Sequence, residues 1–259
     1  ESLGVINIDD GYGKKIYSEN SKKYISVSIK EENSDLYGKI LDYTNDGMKL
    51  KIVYKMEEYV LEVNLTGEYN LYNILGCIAS CLSLGLKIDH ILEKISLMKS
   101  VPGRFETIKN ERNVRIVVDY AHTDDGLSNV GSTLRKITQN RIVTLFGAGG
   151  DRDNSKRSKM AKAAAEFSDF IILTSDNPRT EDPYEILRQI EKGLKEISYP
   201  EEKYLIIEDR EQAIKYAIKN VIDEGDSLLI AGKGHETYQI IGKEKKHFDD
   251  REVAKKYLI

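Results

Sequence analysis

The pattern of apolar and polar positions changes character along the chain. Between residues 24 and 65 it alternates with period two, in runs at 24–29, 36–43, 48–54 and 59–65. Such alternation is typical of strands with one buried face. Asn45, Asp46 and Gly47 tolerate positive φ and so favour a tight hairpin between the second and third runs. This region is predicted to form an antiparallel meander.

Helical spacing follows the strands. Apolar residues recur every three or four positions over 70–84 and 89–99, which predicts two helices, the first ended by Gly85. The segment Val101-Pro102-Gly103 then interrupts the period, because proline and glycine both end regular structure. We therefore predict a domain boundary here, with one domain over 1–102 and a second over 103–259.

Beyond this break, apolar runs of strand length alternate with helical segments. Strands are predicted at 114–120, 141–146, 170–174, 204–207 and 227–231, and helices at 126–138, 156–167, 183–196 and 210–223. The alternation indicates an α/β fold with a doubly wound, mostly parallel sheet. A hairpin near 238–243 and a short helix from residue 250 complete the prediction.

Composition narrows the class of protein. With 259 residues, 40% of them hydrophobic, the chain can build a core in each of two domains. Charged residues make up 32%, are interspersed and sum to −4, so no basic face for nucleic acid is indicated. No stretch resembles a membrane span or a secretion signal, which favours a cytoplasmic protein.

Two further expectations come from the cysteines and from the first residues. Cys77 and Cys81 lie four apart in an apolar stretch and are predicted to be buried core thiols, since a zinc site would need more ligands than the nearby His90. The chain starts at Glu1 without methionine and enters an apolar stretch almost at once, so we expect a fragment of a longer polypeptide.

The loops after the strands are the place to search for a site, because ligands of doubly wound sheets bind at the carboxyl ends of the strands. These loops span 119–124, 147–153, 175–183, 208–210 and 232–236, and four of the five combine charge with glycine, proline or histidine. In the loop at 175–183, Pro178 is a rigid element that would direct Asn177 and Arg179 into a pocket.

Most of these loop features have a structural alternative. Gly147 to Gly150 can be a glycine turn or a close approach to a ligand, and the segment 232–234 lacks the spacing of a P-loop. Asp119 can cap a loop or bind ribose, and His122 can be structural or catalytic. No motif for nucleophilic catalysis is present.

Six stretches together carry a family resemblance. They are GEYNLYN at 67–73, PGRFE at 102–106, VVDYAHT at 117–123, GAGGDRD at 147–153, SDNPRTEDP at 175–183 and AGKGHE at 231–236. In this order the chain resembles the Mur ligases of bacterial cell-wall synthesis, and within them the UDP-N-acetylmuramoyl-tripeptide synthetases. A departure is Asp124, where the family usually has proline.

The resemblance implies the last part of a central ATPase domain followed by a Rossmann-like domain that binds an amino acid. It implies ATP and Mg²⁺ as cofactors, with the P-loop, the metal ligands and a carbamylated lysine upstream of Glu1 and no metal ligand in this chain. The implied reaction adds meso-diaminopimelate to UDP-N-acetylmuramoyl-L-alanyl-D-glutamate, through an acyl phosphate. A fragment without those elements is expected to be inactive alone, and the protein to be a monomer.

The resemblance also implies roles for individual residues near ATP. The adenine end of the ATP site is expected at Asn70 and Asn73, a ribose contact at Asp119, a catalytic phosphate contact at Arg104 and a catalytic group beside the nucleotide at His122. The break at Val101 to Gly103 becomes a candidate hinge between the domains.

The amino-acid pocket is expected on the loops of the second domain. Its residues would be Arg152, Asp176, Asn177, Pro178, Arg179, Gly232 and Glu236. Arg179 can pair with the distal carboxylate of diaminopimelate, which L-lysine lacks, so diaminopimelate is the predicted amino acid.

Two alternative functions remain open from the sequence. One is a relative of the same architecture, a lysine-adding ligase or a folylpolyglutamate synthase, in which a lysine-adding site should lack an arginine at position 179. The other is a stand-alone ligand-binding module without ligase activity.

Overall fold

The computed structural model describes residues 3–44 and 47–258, and the chain divides into two compact units, Glu1–Ser100 and Val101–Ile259. Each unit has a hydrophobic core of its own. Among the described residues, no helix has the length and apolar character needed to span a bilayer.

The first unit contains one five-stranded sheet and three α-helices in its described part. Its elements are β1 Gly4–Asn7, α1 Gly11–Glu19, β2 Tyr24–Ser28, β3 Leu36–Tyr43, β4 Met48–Tyr54, β5 Glu57–Val63, α2 Glu68–Ser83 and α3 Ile88–Ser96. The strand order is β1-β2-β3-β4-β5. Strands β3, β4 and β5 are antiparallel neighbours, whereas β1, β2 and β3 run parallel.

The predicted meander is therefore correct for β3 to β5 and wrong for β2 and β3. The Asp35 carboxylate accepts hydrogen bonds from the Ser26 amide at 2.9 Å and from its hydroxyl at 2.6 Å, while the Asp35 amide donates to that hydroxyl. These bonds fix the start of β3 beside the middle of β2, so that β3 continues in the same direction. Alternation reports which face is buried and carries no information on strand direction. The predicted turn residues Asn45 and Asp46 lie outside the described residues.

The prediction of buried cysteines is also wrong, since Cys77 is exposed and Cys81 is half-buried. The buried face of α2 is formed by Leu71, Ile74, Leu75 and Ile78. At 3.6 residues per turn, Cys77 lies about 110° and Cys81 about 70° around the helix from the centre of that face. Spacing of four placed both thiols on one flank of the helix, where Cys81 packs partly against the core and Cys77 is exposed.

The second unit confirms the predicted doubly wound, mostly parallel sheet. Its elements are β6 Glu106–Ile108, β7 Arg115–Asp119, α4 Asp124–Ile137, β8 Ile142–Phe146, α5 Lys156–Ala165, β9 Phe170–Leu173, α6 Pro183–Glu196, β10 Tyr204–Ile206, α7 Arg210–Tyr216, β11 Ser227–Ala231, β12 Tyr238–Ile241, β13 Glu244–His247 and α8 Asp250–Leu258. The order is β10-β9-β8-β11-β7-β6, with only β6 antiparallel among the described strands of this sheet, and β12 and β13 form a separate hairpin. The three-residue strand β6 was not predicted.

This strand order brings the candidate loops together. Strand β11 lies between β7 and β8, and β9 lies on the other side of β8. The loops that follow these four strands therefore leave the sheet at one edge, on adjacent strands. They carry residues 120–123, 147–155, 174–182 and 232–237.

A buried ion pair stabilises the carboxyl ends of two of these strands. The Arg210 guanidinium donates to both carboxylate oxygens of Asp250, at 2.7 and 2.8 Å, and both side chains are fully buried. The same guanidinium donates to the carbonyls of Ser175 and Ala231, at the ends of β9 and β11. One side chain thus joins two strand ends to the first turn of α8.

Replacing Asp250 with alanine is expected to lower the free energy of unfolding of the second unit by about 3–5 kcal/mol, because Arg210 would remain buried without its partner. Urea denaturation followed by circular dichroism measures the loss, and hydrogen exchange of the β9 and β11 amides assigns it to this unit. The control is Glu185→Ala, which removes an exposed partner of Arg188 and should cost less than about 1 kcal/mol. Equally small losses in both variants would contradict the prediction.

Candidate active site

The glycine-rich loop after β8 packs directly on the loop after β9. The Gly150 amide donates to the Asn177 carbonyl at 2.9 Å. A Cβ on Gly150 would lie 1.9 Å from the Pro178 carbonyl oxygen, and one on Gly147 would lie 2.1 Å from that of Thr174. Glycine is required here because the backbones of two loops approach each other, an explanation that is neither the turn nor the ligand contact considered from the sequence.

A buried arginine that the sequence did not single out connects the same two loops. Arg157, at the start of α5, donates to the two carboxylate oxygens of Glu181 at 2.8 and 3.0 Å and to the Gly149 carbonyl at 3.1 Å. Glu181 also accepts from the Asp151 amide. These hydrogen bonds, that of Arg157 foremost, lower the pKa of Glu181, so the pair remains ionised and holds the loops in register.

Two arginines at the rim of these loops lack a carboxylate partner within the described part of the chain. Arg179 donates through Nη1 to the Gly150 carbonyl at 2.8 Å, and Arg152 donates to the Asp151 carbonyl at 3.1 Å. The position of a Cβ on Gly149 lies 3.0 Å from Arg179 Nη1 and 3.7 Å from Arg152 Cγ. The two predicted pocket arginines therefore flank one glycine, and both can pair with an anionic ligand.

The backbone of Arg179 is held in an unusual conformation. Its φ is 52°, in the left-handed region, which residues other than glycine rarely adopt. Its amide donates to the Ile240 carbonyl at 3.0 Å, and its carbonyl accepts from the Gly242 amide at 2.7 Å. The end of β12 thus compensates for the strain and fixes the direction in which the arginine leaves the loop.

The other predicted pocket residues surround a buried lysine. Lys233 Nζ lies 3.2 Å from Asn177 Oδ1, 3.3 Å from Glu236 Oε2 and 3.5 Å from Asp176 Oδ1, and its side chain has no exposed surface. Asn177 in turn donates from Nδ2 to Glu236 Oε2 at 2.9 Å. Asp176, Asn177, Lys233 and Glu236 form one connected set, which we call the acidic cluster.

Gly232 allows the backbone next to Lys233 to lie close to Asp176. Its φ is 114°, and a Cβ at this position would lie 3.1 Å from Asp176 Oδ2. Lys233 was considered in the sequence only as part of an incomplete P-loop. The signal that could have identified it is a lysine directly after a buried strand, between two glycines, where an ammonium needs acidic partners.

Asp119 occupies the end of β7, where both of its carboxylate oxygens already accept backbone hydrogen bonds. Oδ2 accepts from the Phe105 amide and Oδ1 from the Ala121 amide, each at 2.7 Å. Burial raises the pKa of Asp119, and these two amides oppose that rise. The carboxylate thus shapes the loops around it, and the predicted ribose contact stays a prediction.

The predicted phosphate and catalytic residues lie near Asp119 on the same unit. Arg104 is exposed, with Cζ 5.0 Å from the centre of the Tyr120 ring. The exposed His122 ring has Nδ1 2.8 Å from the Tyr120 carbonyl, which favours the tautomer with the proton on Nδ1 and leaves Nε2 as an acceptor. Arg104 thus lies over the ring of Tyr120, and the Nδ1 of His122 lies against the Tyr120 carbonyl.

The departure at Asp124 has a simple structural explanation. Thr123 is the N-cap of α4, and its hydroxyl accepts from the Gly126 amide at 3.1 Å. Asp124 is the first helical residue, where proline is tolerated because its missing amide hydrogen has no helical partner. An aspartate also suits this position, since its negative charge lies at the positive end of the helix dipole.

The two candidate adenine residues lie in the first unit, at the start of α2. The buried Asn70 donates from Nδ2 to the Thr66 carbonyl at 2.9 Å and accepts on Oδ1 from Asn73 Nδ2 at 3.3 Å. Asn73 is exposed, so its amide is available to a ligand. The described residues of both units contain no group of three His, Cys, Asp or Glu side chains that could hold a metal ion.

Comparison with known proteins gives the same family along most of the chain. Residues 1–81 match the model of the Mur ligase middle domain, and residues 103–234 match that of the Mur ligase glutamate ligase domain. A UDP-N-acetylmuramoyl-L-alanyl-D-glutamate–2,6-diaminopimelate ligase of Fusobacterium nucleatum subsp. nucleatum is 46% identical over 259 residues, covering 98% of this chain and 51% of that protein. The enzyme of the same name from Geobacillus thermodenitrificans is 42% identical over 253 residues, with 98% and 51% covered.

Solved structures agree with these sequence matches. A structure of a UDP-N-acetylmuramoyl-L-alanyl-D-glutamate–2,6-diaminopimelate ligase superposes with a TM-score of 0.66 at 33% identity, over 99% of this chain and 53% of that one. The MurF ligase of Thermotoga maritima in complex with ADP shares the fold, with a TM-score of 0.65 at 14% identity, over 100% and 53%. This chain spans about half the length of the curated relatives it matches. From its fold, its loops and its 46% identity to a named ligase, the chain belongs to the Mur ligase family.

Proposed function

We propose that this chain is the amino-acid-binding part of an ATP-dependent ligase that adds meso-diaminopimelate to UDP-N-acetylmuramoyl-L-alanyl-D-glutamate. The observation that carries the proposal is a pocket edge with both signs of charge. Arg152 and Arg179 lack acidic partners in the described structure, and the acidic cluster lies on the neighbouring loops. An amino acid with two carboxylates and a distal ammonium matches that arrangement.

The reaction proposed for the whole ligase has two steps. An oxygen of the D-glutamate γ-carboxylate attacks the γ-phosphorus of ATP, and ADP leaves, which gives an acyl phosphate. The amine of the incoming amino acid then attacks the acyl carbon, the bond to phosphate breaks, and the amine loses a proton as the amide forms. Magnesium, when bound, neutralises phosphate charge in such reactions.

The residues of this chain would bind and orient the reactants rather than supply a nucleophile. Arg104, with an exposed guanidinium, is proposed to neutralise charge on the transferred phosphoryl group, beside His122. Asn70 and Asn73 are proposed at the adenine and Asp119 near the ribose. Holding reactants in place is sufficient for large rate increases, because it removes the entropy cost of bringing them together.

We assign residues 1–102 to the middle domain and 103–259 to the amino-acid-binding domain, with Val101 to Gly103 as the hinge. The two family matches, which end at residue 81 and begin at residue 103, support this division. The cytoplasmic location and the monomeric state stay predictions. We propose that the chain alone is inactive, since it spans about half the length of the ligases that it matches.

Selection of the amino acid is proposed to depend on charge. The distal end of meso-diaminopimelate carries an ammonium and a carboxylate, whereas that of L-lysine carries an ammonium alone. Arg179 can pair with the distal carboxylate, and Asp176 or Glu236 can accept from the ammonium. Lysine would leave the arginine without a partner and add a cation beside it.

This arginine also bears on the alternative functions. A lysine-adding site should lack an arginine at position 179, so its presence, free of any carboxylate in the described structure, favours diaminopimelate. Folylpolyglutamate synthases share the fold, as the synthase of Mycobacterium tuberculosis does at 18% identity. A ligand-binding module without activity is disfavoured by the family match over residues 1–81.

The proposal predicts that this 259-residue chain binds meso-diaminopimelate more tightly than L-lysine. Isothermal titration calorimetry with each amino acid in separate titrations measures the two dissociation constants. We expect that of lysine to be larger by at least about tenfold, since one desolvated ion pair contributes more than 1.4 kcal/mol. Tighter binding of lysine, or no binding of diaminopimelate at millimolar concentration, would overturn the proposed substrate.

Replacing Arg179 with alanine should remove that preference. We expect the affinity for diaminopimelate to fall by about 2–5 kcal/mol, because its distal carboxylate loses a charged partner, and the affinity for lysine to change little. The same titrations measure both effects. Arg188→Ala, at an exposed arginine of α6 whose described ion pairs are with Asp182 and Glu185, is the control. A variant at position 179 with unchanged selectivity would contradict the assignment.

A further inference from the structure

Lys233 contributes the one buried ammonium among the described pocket residues, and its position suggests a role in selection. Its side chain is fully buried, yet its three acceptors are at 3.2 to 3.5 Å, longer than the usual distance for a charged hydrogen bond. All three acceptors belong to residues proposed to bind the amino acid. Besides these three, the ammonium lies 5.6 Å from the centre of the Tyr238 ring.

The first consequence concerns the orientation of Asn177. Its Oδ1 accepts from Lys233 Nζ and from the Ile240 amide at 2.9 Å, so its Nδ2 must face Glu236. An ammonium can only donate, so Lys233 excludes the flipped amide, in which Nδ2 would face a cation. Lys233, together with the Ile240 amide and Glu236, therefore holds the Asn177 side chain in this one orientation.

The second consequence concerns charge. Asp176 and Glu236 carry two negative charges, and Lys233 carries one positive charge between them. The acidic cluster therefore has a net charge of one negative unit, which matches one ammonium. The two rim arginines match two carboxylates. When its attacking amine is neutral, bound diaminopimelate carries two carboxylates and one ammonium. These charges are complementary to the two arginines and to the acidic cluster.

We propose that Lys233 is a positioning residue that sets the acidic cluster to one net negative charge, so that the pocket selects diaminopimelate over lysine. This inference rests on the proposed function, since it assumes that the pocket binds these amino acids. Lys233 acts through Asp176 and Glu236, and it needs no contact with the substrate.

Removing the lysine charge makes the pocket more negative by one unit. Free lysine has a net charge of +1 near neutral pH, whereas diaminopimelate has none, so lysine gains relative to diaminopimelate. We expect Lys233→Met to lower the ratio of the lysine to the diaminopimelate dissociation constant by about tenfold, a size typical of one charge acting over several ångströms in a partly buried site. A loss of packing alone would weaken both ligands by the same factor.

The experiment titrates the 259-residue chain with each amino acid by calorimetry, for the wild type, Lys233→Met and Lys233→Gln. The glutamine variant makes the same change of charge and retains a polar head, in case the methionine variant does not fold. Lys246→Met, at an exposed residue of β13 that pairs with Glu244, is the control and should keep the wild-type ratio.

The outcomes separate this inference from the function on which it rests. A wild type that fails to bind diaminopimelate overturns both. A wild type that prefers diaminopimelate, together with folded Lys233 variants that keep the same ratio, overturns the inference alone. Loss of the fold in both variants gives Lys233 a structural role only and also overturns it. A fall in the ratio in a folded variant, with Lys246→Met unchanged, supports it.

Discussion

The candidate site depends on cations that are buried at the carboxyl edge of the sheet and paired there with carboxylates. Arg157, Arg210 and Lys233 are each almost inaccessible to solvent, and each contacts an acidic side chain from another part of the second unit. A buried charge without a partner costs several kcal/mol, so each pair commits two segments to one arrangement. The loops lack the regular backbone hydrogen bonds of helices and strands, and these ion pairs hold them in place instead.

The pairs also explain why other charges at the edge remain available. Glu181 is used by Arg157 and Asp250 by Arg210, whereas Arg152 and Arg179 donate only to carbonyls among the described contacts. Carbonyl bonds hold a guanidinium in place without neutralising it. The edge therefore contains two kinds of arginine, one paired with a carboxylate and one that donates only to carbonyls among the described contacts.

The sequence predicted those features that depend on local pattern. The apolar runs predicted the strands of the second unit and their mostly parallel direction. The loops of the candidate site were predicted because ligands of such sheets bind at the carboxyl ends of the strands. The direction of β3 was not predicted, because it depends on hydrogen bonds between Ser26 and Asp35, nine residues apart. The prediction that Cys77 is buried was wrong for a related reason. Residue spacing shows which side chains share a helix face, but not which face packs against the core.

The site residues show the same limit. The motif residues Asp176, Asn177 and Arg179 were identified from the sequence, but Arg157 and Lys233 were not, because burial of a cation is decided by partners distant in the chain. Asp119 was expected to contact ribose, which stays a prediction, and the structure adds that its carboxylate accepts hydrogen bonds from the amides of Phe105 and Ala121. An acid at a strand end can shape a loop as readily as it binds a sugar.

Strand β12 lies outside the main sheet, yet it holds Arg179 by two backbone hydrogen bonds and Asn177 by one. The hairpin makes these three bonds through backbone groups, one of them on Gly242 just after β12, and the Gln239 side chain adds a fourth to the Asp176 carbonyl at 2.8 Å. The hairpin of β12 and β13 is therefore a template that depends more on its length than on its side chains. An insertion or deletion there would change the direction in which Arg179 leaves its loop while leaving the side chains of the other loops unchanged, so the length of this hairpin constrains the edge as strongly as the loop sequences do.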